Sequence, residues 1–149
     1  KAYRAFFSLA FLTLLAAYVF SSFPETESGR QSAWLKEFLS RLTGWEWSEL
    51  LLRKLAHLSE YALIGLFAGA ALVQLDWKLK DAALLWGLGL PAAFLDETIQ
   101  VFSGRGPAII DVWIDVAGVI IGSSLAMLLF GIRPKKGPDE ENPPPSGQA

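Results

Sequence analysis

Four apolar stretches, each close to the length of a membrane-spanning helix, limit this chain to few architectures. They run from Ala5 to Phe20, Leu55 to Leu75, Ala82 to Phe102 and Ala108 to Phe130. A helix needs about 20 residues to cross the roughly 30 Å hydrocarbon core of a bilayer. We therefore predict an all-α membrane protein with four transmembrane helices.

The first stretch admits two interpretations, because a basic start followed by an apolar run is also typical of a signal peptide. The run is long for that role, and no convincing small-x-small cleavage site follows it. We therefore assign residues 1–23 to an uncleaved first span. Residues 55–130 then form a core of three spans, each of which carries ionisable residues and is no plain lipid-facing anchor.

The segment between the first two spans, residues 24–54, is predicted to be an amphipathic, extracytoplasmic connector. From Ser32 to Leu42 the apolar residues follow helical spacing: Trp34, Leu35, Phe38, Leu39 and Leu42. Gly44 breaks this pattern, and a helix-like pattern resumes from Trp45 to Leu52. The segment is either a plain connector or an interfacial helix lying among the lipid headgroups, and the flanking spans favour the interfacial helix.

The last residues, 131–149, are predicted to be a disordered cytoplasmic tail, because they are rich in proline and poor in apolar residues. Basic residues near the membrane boundaries are nearly balanced between the two sides of the bilayer. Compact basic pairs at Lys78 and Lys80, and at Lys135 and Lys136, favour the cytoplasm for the short loop and for the tail. Both termini are therefore predicted to be cytoplasmic.

Composition excludes several classes of site. The chain has 13 Lys and Arg against 15 Asp and Glu, with a net charge of −2, which argues against a nucleic-acid partner. It has no cysteine, so disulfides and thiolate metal sites are excluded. A single histidine, His57, excludes a multi-histidine metal site, and we predict no cofactor.

Ionisable and polar residues gather near one end of the last three predicted spans. Since the second and fourth spans begin at the membrane face where the third ends, these groups should converge at that face, the outer one in the predicted orientation. The turn between the third and fourth spans brings an arginine to the same place. The residues are Lys54, His57, Glu60, Tyr61, Asp96, Glu97, Gln100, Arg105, Asp111 and Asp115.

The charges of this constellation do not balance. An acid at the centre of a bilayer costs roughly 2.5–3.5 kcal/mol on insertion scales, and less near the interface. Five acids face only about three fixed cations, and this surplus suggests a bound cation, a shared proton or a wet cavity. Alternatively, the charges lock the helices together without a ligand. The pairs Gly65–Gly69 and Gly118–Gly122 indicate close helix packing.

Three motif blocks together resemble the VanZ-like family. They are Lys54-x-x-His57-x-x-Glu60-Tyr61, then Asp96-Glu97-x-x-Gln100 with Phe102 and Gly104-Arg105, then Asp111-x-x-x-Asp115-x-x-Gly118-x-x-x-Gly122. The resemblance covers residues 53–130. Ser103 stands where the family turn often has proline, and Gly106-Pro107 follows instead of the usual small polar run.

The resemblance implies a protein of the bacterial inner (plasma) membrane that acts in the cell envelope. The founding VanZ member accompanies glycopeptide resistance clusters and gives low-level resistance to teicoplanin. Family membership implies no particular reaction. Whether the chain is an enzyme, and in which oligomeric state it works, stays open at this point.

Three functions are compatible with the sequence. In the first, the polar site binds a membrane lipid or a lipid-linked cell-wall precursor. Arg105 and Lys54 would hold phosphate, and the Arg105 guanidinium would bind it in bidentate geometry. His57, Asp96 and Gln100 would orient sugar or peptide groups. The full set of candidate ligand-binding residues is Lys54, His57, Tyr61, Asp96, Gln100, Arg105, Asp111 and Asp115.

The second function is an enzyme acting on a lipid-borne phosphate or sugar, with His57 as general acid or base. The candidate catalytic residues are His57, Glu60, Asp96 and Glu97. No metal site is assigned, but a divalent cation, if one binds, would be held by oxygen ligands from Asp96, Glu97 and Asp111. The third function is a scaffold with an intramembrane ion-pair lock. If His57, Asp96 and Arg105 approach one another around an open cavity, the first two functions are favoured. If they are sealed in direct pairs, the third is favoured.

Overall fold

A computed structural model describes residues 2–75, 77–106 and 108–131 of the chain. Within these residues it contains five α-helices and no strands. They are α1 (Ala2–Ser21), α2 (Glu25–Thr43), α3 (Glu49–Val73), α4 (Leu79–Phe102) and α5 (Ile109–Phe130). The predicted disordered tail, apart from Gly131, lies outside the described residues.

Four of the helices, α1, α3, α4 and α5, are long and apolar enough to cross a membrane. The protein is therefore a multi-pass membrane protein with an all-helical fold, as the sequence predicts. Helix α2, which lies between the first two spans, is too polar to be a fifth span, and none of its residues is buried.

The starts of α3 and α4 differ from the predicted spans because polar capping contacts, which hydropathy does not register, determine where these two helices begin. Helix α3 begins at Glu49 rather than at Leu55, since the Ser48 hydroxyl accepts a hydrogen bond from the Leu51 N–H at 3.0 Å. Helix α4 begins at Leu79 rather than at Ala82, since the Asp81 carboxylate accepts one from the Lys78 N–H at 2.8 Å.

Helix α2 is longer than predicted at its start and ends where predicted. It begins directly after Pro24 instead of at Ser32, and it ends at Gly44, whose φ of 70° is the left-handed conformation that glycine tolerates. The expectation that a helix resumes at Trp45 is wrong, because residues 45–48 are not helical. The Trp47 indole N–H donates to the Thr43 hydroxyl at 3.1 Å and folds this segment back on α2.

Helices α3 and α5 pack against each other through small residues. A methyl group added at Gly118 would lie 2.7 Å from the Leu58 carbonyl oxygen, and one at Gly69 would lie 2.8 Å from the Ser123 Cα. Methyl groups at Gly65 and Gly122 would overlap the backbones of Val119 and Ala62. The close approach predicted from the two glycine pairs is confirmed. We call these four glycines the glycine seam.

Helices α1 and α4 attach to this pair by hydrogen bonds from side chains. The Tyr18 and Tyr61 hydroxyls both donate to the Ala92 carbonyl, at 3.1 and 3.2 Å. The Ser103 hydroxyl donates to the Ser21 carbonyl at 2.9 Å, which joins the ends of α1 and α4. The ends of α1 and α4 and the beginnings of α3 and α5 therefore meet, and we call this part of the molecule the polar end.

Candidate functional site

Four carboxyl groups are buried at the polar end, although each belongs to a helix that is otherwise largely apolar. They are Asp96, Glu97, Asp111 and Asp115, with exposed fractions of 1%, 5%, 3% and 0%. Buried charges in proteins are normally paired or hydrogen-bonded, because their desolvation is otherwise costly. The partners of these four groups therefore define the chemistry of the site.

Asp111 belongs to a direct ion pair between α3 and α5. The Lys54 ammonium lies 2.7 Å from Asp111 Oδ1, and the Arg53 guanidinium lies 3.9 Å from Asp111 Oδ2. Lys54 is thus already paired within the protein. This contact is an ion-pair lock of the kind that the scaffold hypothesis predicts.

His57 lies between two carboxylates from different helices. Its Nδ1 is 3.2 Å from Asp115 Oδ1 on α5 and 3.8 Å from Asp96 Oδ2 on α4. The imidazole is only 5% exposed, and it also lines the cavity described below. A carboxylate beside one ring nitrogen fixes the orientation of the ring, which is a feature of both acid–base and metal-binding histidines.

Gln100 connects the carboxylates of Asp96 and Glu97 to an arginine. Its amide N–H groups donate to Asp96 Oδ2 at 3.2 Å and to Glu97 Oε1 at 2.9 Å. Its carbonyl oxygen accepts from Arg53 Nη2 at 2.9 Å. The second oxygen of Glu97 accepts from the Ala108 N–H at 2.9 Å, just before α5 begins. Gln100 is completely buried, so its orientation is fixed by these contacts.

A cavity of about 210 Å³ opens at the polar end between α1, α2, α3 and the turn from α4 to α5. Its charged lining is mostly basic and consists of Arg53, His57 and Arg105 with one acid, Glu60. Hydroxyl and amide groups complete the polar wall. They come from Ser21, Ser28, Gln31 and Ser32. We call this space the basic cavity.

The two arginines of the basic cavity have unused hydrogen-bonding capacity. Among the described residues, the Arg105 guanidinium makes no side-chain hydrogen bond and no ion pair within 4 Å. The Nε of Arg53 is buried without a partner. Burial, together with the nearby Arg53 charge, lowers the pKa of Arg105. Gly104, whose φ is 78°, turns the chain after α4 and brings Arg105 back to the cavity.

An apolar groove of about 550 Å³ lies next to the basic cavity. The two spaces share Leu35, Leu52 and Ala56 in their walls. The rest of the groove is formed by Leu39, Trp47, Leu55, Leu58, Ser59, Ala62 and Ile121. A polar space and an apolar space therefore lie side by side under α2.

The sequence-predicted residues fall into three groups. His57, Glu60 and Arg105 line the basic cavity. Asp96, Glu97, Gln100, Asp115 and the Lys54–Asp111 pair lie close to these residues but outside its wall. Tyr61 belongs to neither group, because it is fully buried and its hydroxyl donates to the Ala92 carbonyl.

Sequence reasoning did not place Arg53 or Ser21 among the site residues. Arg53 counts among the cations available to balance the acids, but no motif spacing assigned it to the site. Ser21 has no comparable signal, because the motif blocks begin only after α1.

Within the part of the chain that the structure describes, one group of three side chains could hold a metal ion. Ligand atoms of His57, Asp96 and Glu97 all lie within 4.8 Å of one another. The trio considered from the sequence contained Asp111 in place of His57. The structure instead pairs Asp111 with Lys54 and turns His57 toward Asp96.

Comparison with known proteins agrees with the motif resemblance. The family model described as VanZ/LLP1 matches residues 5–130, which is most of the chain and includes α1 and α2. No curated protein and no solved structure matches the chain.

Proposed function

This chain belongs to the VanZ/LLP1 family and is a VanZ-like membrane protein of the cell envelope, and we propose that it binds the phosphate-bearing headgroup of a membrane lipid or lipid-linked cell-wall precursor. The headgroup occupies the basic cavity, and binding modulates how that envelope component is handled. The observation that carries the proposal is the pair of arginines, Arg53 and Arg105, in the wall of one cavity: among the described residues Arg105 has no ion-pair partner, and the buried Nε of Arg53 has no hydrogen-bond partner.

Phosphate is the ligand that this arrangement of donors favours. A guanidinium offers donors in a planar fork that matches two phosphate oxygens, and such charge-assisted bonds are stronger than neutral ones. The charges of Arg53 and Arg105 repel each other, and an anion between them removes that repulsion. Since Lys54 is committed to Asp111, the phosphate ligands are Arg53 and Arg105 rather than the Lys54 and Arg105 expected from the sequence.

The apolar groove supports a lipid rather than free phosphate as the ligand. It shares a wall with the basic cavity, so a molecule with a phosphate and a hydrocarbon chain would fill both. Helix α2 contributes Ser32 to the cavity and Leu39 to the groove. We further propose that α2 lies in the headgroup layer, with the exposed Trp34 and Phe38 packed into lipid.

The test compares three probes on the full chain in detergent micelles: a polyprenyl phosphate, the uncharged polyprenol and inorganic phosphate. We expect the polyprenyl phosphate to bind most tightly. Arg105→Gln and Arg53→Gln should each weaken its binding about tenfold or more, since a hydrogen bond to a charged group is worth about 1.5–3 kcal/mol. The control is Arg41→Gln, which changes an exposed arginine of α2 that pairs with Glu37.

Equal binding of polyprenol and polyprenyl phosphate would refute the phosphate site. Equal binding of inorganic phosphate and polyprenyl phosphate would refute the contribution of the groove. Unchanged affinity in both arginine variants, with Arg41→Gln also unchanged, would assign the phosphate to another part of the molecule.

A second candidate function is acid–base chemistry on the bound lipid, because His57 lines the cavity and contacts Asp115. A histidine oriented by a carboxylate is a common general acid or base. If the protein is an enzyme, His57→Gln should abolish turnover of a lipid-linked phosphate while the substrate still binds. An unchanged substrate after incubation with the native protein, with and without Mg²⁺, would leave only the binding function.

The cellular proposal is a protein of the bacterial plasma membrane, with both termini in the cytoplasm and the basic cavity at the outer face. In this position it would reach lipid-linked precursors where teicoplanin acts. Arg105→Gln and Asp96→Asn should then abolish any gain in teicoplanin resistance without reducing the amount of inserted protein. Loss of the folded protein in both variants would instead favour the scaffold function.

A further inference from the structure

The group formed by His57, Asp96 and Glu97 is more negative than its own contacts can balance. Asp96 and Glu97 are consecutive residues, and both carboxyl groups are at least 95% buried. The same Gln100 amide donates to both of them. The nearest cationic group is His57, whose Nδ1 lies 3.8 Å from Asp96 and also contacts the Asp115 carboxylate. Three carboxylates therefore surround one imidazole.

A buried oxygen atom of Asp96 lacks a hydrogen-bond partner, and this indicates a ligand. This residue is only 1% exposed, yet its Oδ1 has no hydrogen-bond partner of acceptable geometry, although Ser21 lies near it. A buried carboxylate oxygen without a partner is unfavourable unless a donor or cation satisfies it. The Oδ2 of Asp115, a fully buried residue whose Oδ1 contacts the same His57 nitrogen, lacks a partner as well.

We propose that His57, Asp96 and Glu97 bind a divalent transition-metal ion such as Zn²⁺ or Mn²⁺. Their ligand atoms lie within 4.8 Å of one another, and one nitrogen with two carboxylate oxygens is a donor set that suits these ions. A cation there neutralises the excess negative charge and supplies the partner that Asp96 Oδ1 lacks.

The surrounding contacts already hold the ligands in place. The Gln100 amide contacts both carboxylates, and the Ala108 N–H holds the second oxygen of Glu97. Such outer contacts orient metal ligands in known metal sites. The Lys54–Asp111 pair lies beside this group and takes no part in it. The inference stands on these contacts alone and does not depend on phosphate binding in the basic cavity.

The test measures the metal alone on the full chain in detergent, first stripped with a chelator and then equilibrated with Zn²⁺ or Mn²⁺. We expect about one equivalent per chain by elemental analysis, with a saturable signal in competition against a chromophoric chelator. Asp96→Asn should weaken binding by more than the roughly 10–100-fold that outer contacts are worth in metal sites. Glu97→Gln, whose amide oxygen still accepts from the Ala108 N–H, should weaken binding as well.

Two control variants separate metal binding at this site from other causes of a changed metal affinity. Glu46→Gln removes an exposed acid outside the polar end and should bind metal like the native protein. Arg105→Gln removes a cation of the basic cavity and should not lower metal affinity, so the metal result and the phosphate result stay distinguishable. The melting temperature of each variant shows whether it is folded.

The inference is overturned if the native protein binds no stoichiometric Zn²⁺ or Mn²⁺. It is also overturned if both folded variants, Asp96→Asn and Glu97→Gln, bind as tightly as the native protein. If Asp96→Asn does not fold, Glu97→Gln alone decides between these outcomes.

Discussion

The same two helices, α3 and α5, meet in two different ways along their length. At the glycine seam their backbones touch, and there is no room for even one added methyl group at Gly65 or Gly122. At the polar end they are joined by side chains, through the Lys54–Asp111 and His57–Asp115 contacts. At the glycine seam the two backbones can touch because glycine has no side chain. At the polar end, polar and charged side chains bridge the two helices.

The difference separates stability from function within one helix pair. Among the described residues, the three buried side-chain atoms that lack a hydrogen-bond partner are Arg53 Nε, Asp96 Oδ1 and Asp115 Oδ2. All three lie at the polar end. Proteins commonly keep unsatisfied groups where they bind ligands and obtain stability elsewhere. We therefore expect substitutions in the seam to unfold the protein and substitutions in the cavity to leave it folded.

The strongest test of the comparison is Gly122→Leu in the seam. The new side chain would collide with the Ala62 backbone, which cannot move without separating α3 from α5. We expect a loss of about 3 kcal/mol or more, the upper end of what overpacking costs. Thermal melting in detergent measures the loss. Gly87→Ala, at a glycine of α4 with nothing within 4 Å, is the control and should be neutral or slightly stabilising.

Breaking the ion pair of the polar end should have an intermediate effect. Lys54→Met leaves Asp111 buried with only Arg53 at 3.9 Å as a partner. We expect about 1–3 kcal/mol, less than for a fully buried pair because Lys54 is 28% exposed. The double variant Lys54→Met with Asp111→Asn should recover part of this loss in chemical unfolding. A double variant whose loss equals the sum of the losses of Lys54→Met and Asp111→Asn would show that the pair is not coupled.

Removing one of the two tyrosine hydroxyls should have a smaller effect. Tyr61→Phe removes the 3.2 Å hydrogen bond to the Ala92 carbonyl, but the Tyr18 hydroxyl still donates to that oxygen at 3.1 Å. We expect about 0.5–1 kcal/mol for either single change, within the usual range for one hydrogen bond. The double variant should lose more than the sum, since only then is the carbonyl left without these donors. Additive losses would contradict this account.

Arg105→Gln should have the smallest effect on stability. Burial and the nearby Arg53 lower the pKa of Arg105 in the folded protein, so the fold disfavours its positive charge. Replacing it with a neutral side chain should leave the melting temperature unchanged or slightly higher, while phosphate-lipid binding falls. A clear drop in melting temperature would place Arg105 among the residues that hold the fold together and would weaken the comparison.

The architecture was predictable because the length and hydropathy of a span are properties of one helix and can be read without knowing its neighbours. Each apolar stretch became a helix. Because successive spans run in alternating directions, the charged residues were expected at one common end of the bundle. The helix starts were less predictable. Ser48 and Asp81 make the capping hydrogen bonds of α3 and α4 within polar segments, where a hydropathy pattern gives no signal.

The detailed pairing within the site was less accessible, because it depends on how each helix is rotated about its axis. Helical spacing places Lys54 and His57 on one stripe, yet they contact different acids, Asp111 and Asp115. The long side chain of Arg53 reaches Gln100 on a different helix, and no spacing rule within α3 predicts that contact. The contribution of α1 through Ser21 was also invisible to motifs that begin after it.

The charged residues of α3 and α5 lie towards the start of each helix, and this bears on how the chain enters a membrane. Arg53, Lys54, His57 and Glu60 all precede a long apolar remainder of α3, and Asp111 and Asp115 likewise precede that of α5. Charged side chains near a helix end stay close to water and avoid the high cost of the bilayer centre. The apolar remainder of α3 can therefore partition into lipid during synthesis before α5, which carries the partners of Lys54 and His57, is translated. Pairing of these charges then has to wait until α5 packs against α3.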